Sequence, residues 1–235
     1  MIRIHLFFVY SEVWNVNVTS FGRVESVFKN DMPRLKDKSI IGDLGCSIGA
    51  TTIELASKYK NSTILGIDIN EEILPKNTLK QSDLVNKIIE TRKSEIKIEL
   101  DSRCSSLNRN KLKEEIDKLE ELYNSQELSK IFFKCADIFE LNNLYKIKFD
   151  ALFMMNNYLF MLDNISYDRH QKIKDNLCDS LTSGGYILMS GSNKNKDSDK
   201  IIFQKKGEDL KCIYCSGYDF FSNNKGFYDA YLKSI

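Results

Sequence analysis

The sequence predicts a doubly wound α/β domain, a mostly parallel sheet ending in a C-terminal antiparallel hairpin and carrying a helical insertion. Three observations lead there. Short apolar runs alternate with stretches of helical periodicity, the first run ends in the glycine turn Gly45-Cys46-Ser47-Ile48-Gly49, and the next two end in acids, Asp68 and Asp137. With 235 residues, 42% of them hydrophobic and 29% charged, the chain can bury a sizeable core.

The elements follow in order. Phe21, Val24, Val27, Phe28, Met32 and Leu35 recur at helical spacing, so a helix is expected in the lead-in, residues 1–38. Ser39–Leu44 reads as a strand, Ala50–Lys60 as a helix and Thr63–Asp68 as a second strand, one right-handed β-α-β unit. Residues 71–130 are far longer than a plain crossover and are expected to be a helical insertion. It reads as a solvated hairpin packed by Leu112, Ile116, Leu119 and Leu122, or as a lid over the acceptor. Ile131–Asp137 and Phe149–Met155 are the third and fourth strands, and Tyr167–Leu181 is a helix that places His170 on the surface. Gly184-Gly185 reads as a helix stop before a fifth strand, Tyr186–Ser190. Ile201–Phe203 and Leu210–Tyr218 form the hairpin, and Phe227–Leu232 is expected to be a last strand.

Charge and cysteines narrow the class. A net charge of +1 gives no overall basic field for sequence-independent nucleic-acid binding. The apolar run Leu6–Val9 is too short for a signal core or a span, so a cytoplasmic protein without a membrane partner is expected. The six cysteines are scattered, and free thiols are expected. Cys212 and Cys215 form one C-x-x-C. On a strand, residues three apart face opposite sides, and a structural zinc needs four ligands, so no metal is expected.

The chemistry belongs at the carboxyl ends of the strands, near the switch in strand order, where the turn 45–49, Asp68, Asp137 and Asn156 converge. Gly45 and Gly49 allow a sharp bend and a close ligand approach, and Asp68 is placed to accept from two ribose hydroxyls. A glycine turn and a later acid also serve nicotinamide enzymes, although G-x-G-x-x-G is absent.

Asp43-Leu44-Gly45-Cys46-Ser47-Ile48-Gly49 resembles the first signature of class I S-adenosylmethionine-dependent methyltransferases. The resemblance continues through Gly66-Ile67-Asp68-Ile69, Ala136-Asp137-Ile138, Phe149-Asp150 and Gly184-Gly185-Tyr186, covering residues 39–190. It implies a methyltransferase domain over 39–235 with S-adenosyl-L-methionine as cofactor and S-adenosyl-L-homocysteine as product. By likeness, Asp43, Gly45, Cys46, Ser47 and Gly49 make the cofactor turn, with the glycines approaching the methionine moiety. Asp68 and Ile69 serve the ribose, and Asp137 and Ile138 the adenine. Asn17–Arg23, Val27-Phe28 and Met32–Leu35 are similar to the lead-in of CheR-type protein-glutamate methyltransferases, and Phe149–Asn156 to their fourth strand, so Asn156 inherits a cofactor contact. Met155, Phe160 and Ala50-Thr51 depart from the CheR pattern. Arg34-Leu35 before Asp43–Cys46 is also similar to RNA 5′-phosphate methyltransferases of the bicoid-interacting type.

The acceptor side is more open. Only Pro33 and Pro75 occur, which excludes an N-P-P-Y motif and a Pro-Cys nucleophile. Tyr158, just past the fourth strand, and Arg23, if the lead-in folds over the active site, are the acceptor-side candidates, Arg23 as a clamp for a carboxylate. A small-molecule or protein acceptor is expected through O or N, with a carboxylate as one form. RNA or another phosphate acceptor, favoured by a basic patch from Lys194, Lys196, Lys200, Lys205 and Lys206, is the alternative, and a non-catalytic cofactor-binding module is a third reading.

Overall fold

The computed structural model describes residues 21–101, 106–125, 128–141, 147–155, 166–190, 199–216 and 225–232. Seven strands form one sheet: β1 (Ile40–Leu44), β2 (Thr63–Asp68), β3 (Lys130–Cys135), β4 (Phe149–Met155), β5 (Leu181–Ser190), β6 (Lys200–Lys206) and β7 (Asp209–Ser216). Their order is β3-β2-β1-β4-β5-β6-β7. β1 to β5 pair in parallel, whereas β6 is antiparallel to β5 and β7 to β6. This is the expected doubly wound, mostly parallel sheet with its terminal hairpin. The strand order reverses between β1 and β4, the place where open α/β sheets bind ligands beyond the carboxyl ends of their strands.

Both faces of the sheet are covered, which explains why the parallel strands read as nearly continuous apolar runs. One face carries α1 (Arg23–Phe28), α2 (Ala50–Lys58), α3 (Gln81–Asp101) and α4 (Ser106–Ser125), whose apolar residues join Ile41, Ile64, Phe133 and Phe153 in one cluster. The other carries α5 (Tyr167–Asp179) and a C-terminal segment, packed on Leu44, Ile67, Leu152 and Ile187. Asp150, which opens β4, ties strands together: its carboxylate accepts from the Ile40 amide at 2.9 Å and the Thr182 hydroxyl at 3.0 Å.

Several expectations change. The lead-in helix ends at Phe28 rather than near Leu35, and Pro33 disfavours a helical conformation at Met32, so the helix does not resume there. Gly184-Gly185 does not precede the fifth strand but lies within it, where the β4–β5 register shifts. Phe227–Leu232 is not a strand; Lys225–Phe227 is helical and Tyr228–Leu232 a π turn. That segment lies over α5 and accounts for a second correction. His170 is fully buried, with its ring edge-on to Phe227 at 6.3 Å and Tyr231 at 6.5 Å.

The 71–130 insertion contains the antiparallel pair α3 and α4. It is joined to the sheet as well as solvated: Leu84, Val85, Ile88, Ile89 and Ile96 are buried with Leu112, Leu119 and Leu122 in the same core as β1 and β2. Asn77, ahead of α3, accepts from the Phe133 amide at 2.8 Å and donates to its carbonyl at 2.6 Å. That side-chain amide occupies hydrogen-bonding groups which edge strand β3 would otherwise present to another strand.

Candidate active site

The turn after β1 is built backbone first. The Gly45 and Cys46 amides both donate to the Ile67 carbonyl, at 2.7 and 3.1 Å, folding the chain back against β2. Gly45, Ser47 and Gly49 all have positive φ, 73°, 52° and 94°. Ser47 is the non-glycine among them, and a side chain in the left-handed region costs free energy that its surroundings must offset. Here the offset comes from Asp68: its Oδ2 accepts from the Ser47 amide at 2.9 Å, and its Oδ1 from the Asn70 amide at 3.0 Å. The acid ending β2 therefore holds the turn after β1. A carboxylate has room for about four hydrogen bonds, so Asp68, partly exposed, keeps acceptor capacity toward the crevice.

Asp43 faces the other way. It is 1% exposed, and its Oδ2 accepts from the Thr51 and Thr52 hydroxyls at 2.7 and 2.6 Å. It braces the first turn of α2 against β1. Burial pushes its carboxyl up to about 6, against the two hydroxyls, with the charge of Asp68 adding to the rise. A carboxyl raised in the native state binds protons that the unfolded chain has released. The stability it contributes is complete below its unfolded value of 3.8 and is lost as pH rises through about 6. An Asp43→Asn variant should therefore gain on wild type across that window, by on the order of 3 kcal/mol. Urea unfolding of both proteins from about pH 4 to 7 reads the difference, and parallel curves would contradict it.

Around this turn, Cys46 is buried and its thiol is pushed well up by burial and by the charges of Asp43 and Asp68. It is a packed thiol and not a nucleophile. Ile69, 50% exposed, stands beside Asp68 as an apolar shelf, while Asp137 is partly exposed and Ile138 buried at the start of the turn Ile138–Glu140. Ala136 donates its amide to the Asp68 carbonyl at 2.9 Å, so β2 and β3 leave the sheet together. The structure thus brings the turn, Asp68, Ile69 and the 137–138 corner to one edge. Asn156 and Tyr158 lie outside the described residues.

Arg23 sits at the start of α1, on the face of α2. Gly22 supplies no side-chain cap. Instead Glu54 reaches across from α2 and accepts from the Gly22, Val24 and Glu25 amides at 2.9, 3.2 and 2.8 Å. This satisfies amides that a helix start leaves open. Burial pushes the Glu54 carboxyl up to about 7 against those three amides. Burial lowers the Arg23 guanidinium, and the charge of Glu54 opposes that. A cleft of about 360 Å³ lies here, lined by Phe21, Gly22, Glu54, Lys58, Lys118 and Leu122. It borders the last turn of α2, at the opposite end of that helix from Gly49, and is not the strand-end crevice.

The basic patch is only partly present among the described residues. Lys200 donates to the Val27 carbonyl at 2.8 Å and pairs with Asp31 at 2.5 Å; Lys205 donates to the Cys178 carbonyl at 2.9 Å. Both hold the fold, Lys206 is exposed, and Lys194 and Lys196 lie outside the described residues. Among the described residues no group of three or more His, Cys, Asp or Glu could hold a metal ion, and no helix is long and apolar enough to cross a membrane.

Glu54, Thr51, Thr52 and Asn70 were not singled out from the sequence. The two threonines had a signal, adjacent hydroxyls in the first turn of a helix that follows a buried acid by eight and nine positions. Glu54 had none, because its partners lie about thirty residues earlier.

No family model matches the chain, and no curated protein does. Solved structures of similar architecture include a SAM-dependent methyltransferase of Methanosarcina mazei, 20% identical over 68% of this chain and 56% of that one, TM-score 0.38. Another is coclaurine N-methyltransferase bound to N-methylheliamine and SAH, 17% identical over 67% of this chain and 32% of that one, TM-score 0.34. PKMT2 of Rickettsia typhi, in complex with AdoHcy, is 20% identical over 72% of this chain and 23% of that one, TM-score 0.38. The chain spans less than two thirds of each.

Proposed function

We propose that this chain is an S-adenosylmethionine-dependent methyltransferase acting on an O or N acceptor, a carboxylate of a small molecule or protein being one such class. The observation that carries the cofactor reading is the Ser47 amide bonded to Asp68 at 2.9 Å, at the point where the strand order reverses. It couples a bent turn to an acid with spare acceptor capacity, which suits a ligand with a vicinal diol and a charged tail.

The residues fit that ligand. Asp68, with Ile69 beside it, would accept from the ribose hydroxyls, Ile138 would flank the adenine, and Asp137 would accept from its amino group. The turn Gly45–Gly49, at the amino end of α2, would face the methionine part, where a helix start favours a carboxylate. Asp43 acts through Thr51 and Thr52 as a positioning residue. Asn156 and Tyr158 are assigned to the cofactor and acceptor sides respectively. The lead-in residues 1–20 are proposed to lie toward the acceptor, whereas Arg23 neighbours Glu54 on α2.

S-adenosylmethionine supplies, when bound, a methyl group already activated on a sulfonium. The chain's contribution is then to hold the acceptor in line at near-attack distance and to exclude water. An ionised carboxylate needs only that alignment, whereas an amine must also lose a proton to a nearby base. The internal bonds of Lys200 and Lys205 withdraw two cations from the phosphate-acceptor alternative.

Calorimetry with S-adenosylmethionine and S-adenosylhomocysteine against Asp68→Ala tests the cofactor site. The variant is expected to lose at least about 1–3 kcal/mol of binding, since it also leaves the Ser47 amide without its acceptor. Unchanged affinity in a variant that keeps the wild-type melting profile would defeat the assignment. A tightly binding protein that transfers no labelled methyl to metabolites, protein or RNA would instead be a cofactor-binding module.

A further inference from the structure

β7 contains the run Cys212-Ile213-Tyr214-Cys215. In a regular strand those thiols would point to opposite faces of the sheet. The β6–β7 ladder is irregular there: Ile202 pairs with Tyr214 while Phe203 pairs with Cys212, leaving Ile213 as an extra residue. This is a β-bulge, and it resets the alternation. Cys212 lies opposite Phe203 and Cys215 opposite Ile201. Directly opposed residues share a face, Ile201 and Phe203 both belong to the α5-side core, and both cysteines pack against that core.

The Cys212 thiol donates to the Tyr214 carbonyl at 3.4 Å, the group that leads into Cys215. Burial, then the charges of Cys212 and Asp199, push the Cys215 thiol up to about 11. Both cysteines are free, partly exposed, and on the terminal strand of the sheet.

What such a pair can hold follows from its ligand number and span. Zinc asks for four ligands, and among the described residues no third His, Cys, Asp or Glu joins the pair. With the bulge, the cysteines are separated by roughly two strand rises, about 6.6 Å or more between Cα atoms, at the limit of what an S–S bond of about 2 Å bridges. An ion between two sulfurs spans roughly twice a metal–sulfur bond of about 2.3 Å, a wider gap, and thiolates select soft ions.

We propose that Cys212 and Cys215 form a two-thiolate site for one soft monovalent cation of the copper(I) and silver(I) class. Binding breaks two S–H bonds, releases two protons to solvent and forms two sulfur–metal bonds, with no change in oxidation state. The site is independent of the methyl-transfer reading.

Anaerobic titration of the full chain with copper(I), in competition with a chromophoric copper(I) chelator, tests it. One ion per chain is expected, with affinity rising with pH as the thiols ionise. Cys212→Ser and Cys215→Ser should each weaken retention by more than the roughly 10–100-fold that loss of an outer-shell partner costs. Cys135→Ser, which removes an exposed thiol elsewhere, should leave it unchanged. X-ray absorption at the copper edge should show two sulfur neighbours. Wild-type retention in either β7 variant, dependence on Cys135, a shell of three or more ligands, or an ion shared between two chains in sedimentation would each overturn the proposal.

Discussion

Arg92→Ala is expected to lose about 3–5 kcal/mol of folding stability, the scale for removing one partner of a buried ion pair. Arg92 is 2% exposed and directs all its nitrogens into carboxylates. Its Nε and Nη2 donate to Glu115 at 2.9 and 3.1 Å, and its Nη1 to Glu99 at 2.9 Å and Glu95 at 3.2 Å. Burial lowers the guanidinium, yet the bonds and charges of Glu115 and Glu99 outweigh it and hold the group above its ordinary value. The alanine variant leaves Glu115, 5% exposed, as an uncompensated charge. Glu115 also accepts from the Phe21 amide at 2.7 Å, so the disturbance reaches the lead-in. Urea unfolding gives the loss, and limited proteolysis should show earlier cleavage near Phe21. Combining Arg92→Met with Glu115→Leu should recover much of the stability, because neither charge then remains buried. A loss below about 1 kcal/mol for Arg92→Ala would show that water reaches the pair.

Gly49→Ala is the second large effect. At φ 94° an L side chain costs about 1–2 kcal/mol. The added Cβ would also stand 2.6 Å from Phe133 Cζ and 2.9 Å from its Cε1, an overpacking worth about 1–3 kcal/mol. Phe133 has little freedom to retreat. It is 3% exposed, and Asn77 clasps its backbone on both sides. A total of about 2–5 kcal/mol is expected and, on the proposed cofactor site, weakened S-adenosylmethionine binding, because Gly49 is the hinge between the turn and α2. Gly207→Ala separates the two costs: that glycine has φ 65° with nothing within 4 Å of its Cβ position, so only the backbone cost of about 1–2 kcal/mol applies. Adding Phe133→Leu to Gly49→Ala should relieve the packing part alone. Equal losses for Gly49→Ala and Gly207→Ala would mean that the Phe133 ring yields.

The parts of the site carried by short stretches of chain were legible. The turn 45–49 and the acids Asp68 and Asp137 could be placed because a strand end, a glycine bend and an acid are local signals. The bracing could not. Ser47 to Asp68 joins residues 21 apart, Gly22 to Glu54 32 apart, and Arg92 to Glu115 23 apart, and none of these spacings marks its partner.

By itself, the sequence determined the seven strand segments of the sheet, that most of them run parallel, and where the chain bends after the first strand. Apolar runs, periodicity and glycine act within a few residues of themselves. Tertiary structure alone decided that His170 is buried, that Phe227–Leu232 coils over α5 and that one bulged residue turns Cys212 and Cys215 to the same face. Those outcomes depend on what another part of the chain places opposite each residue, and burial and register are properties of the pair.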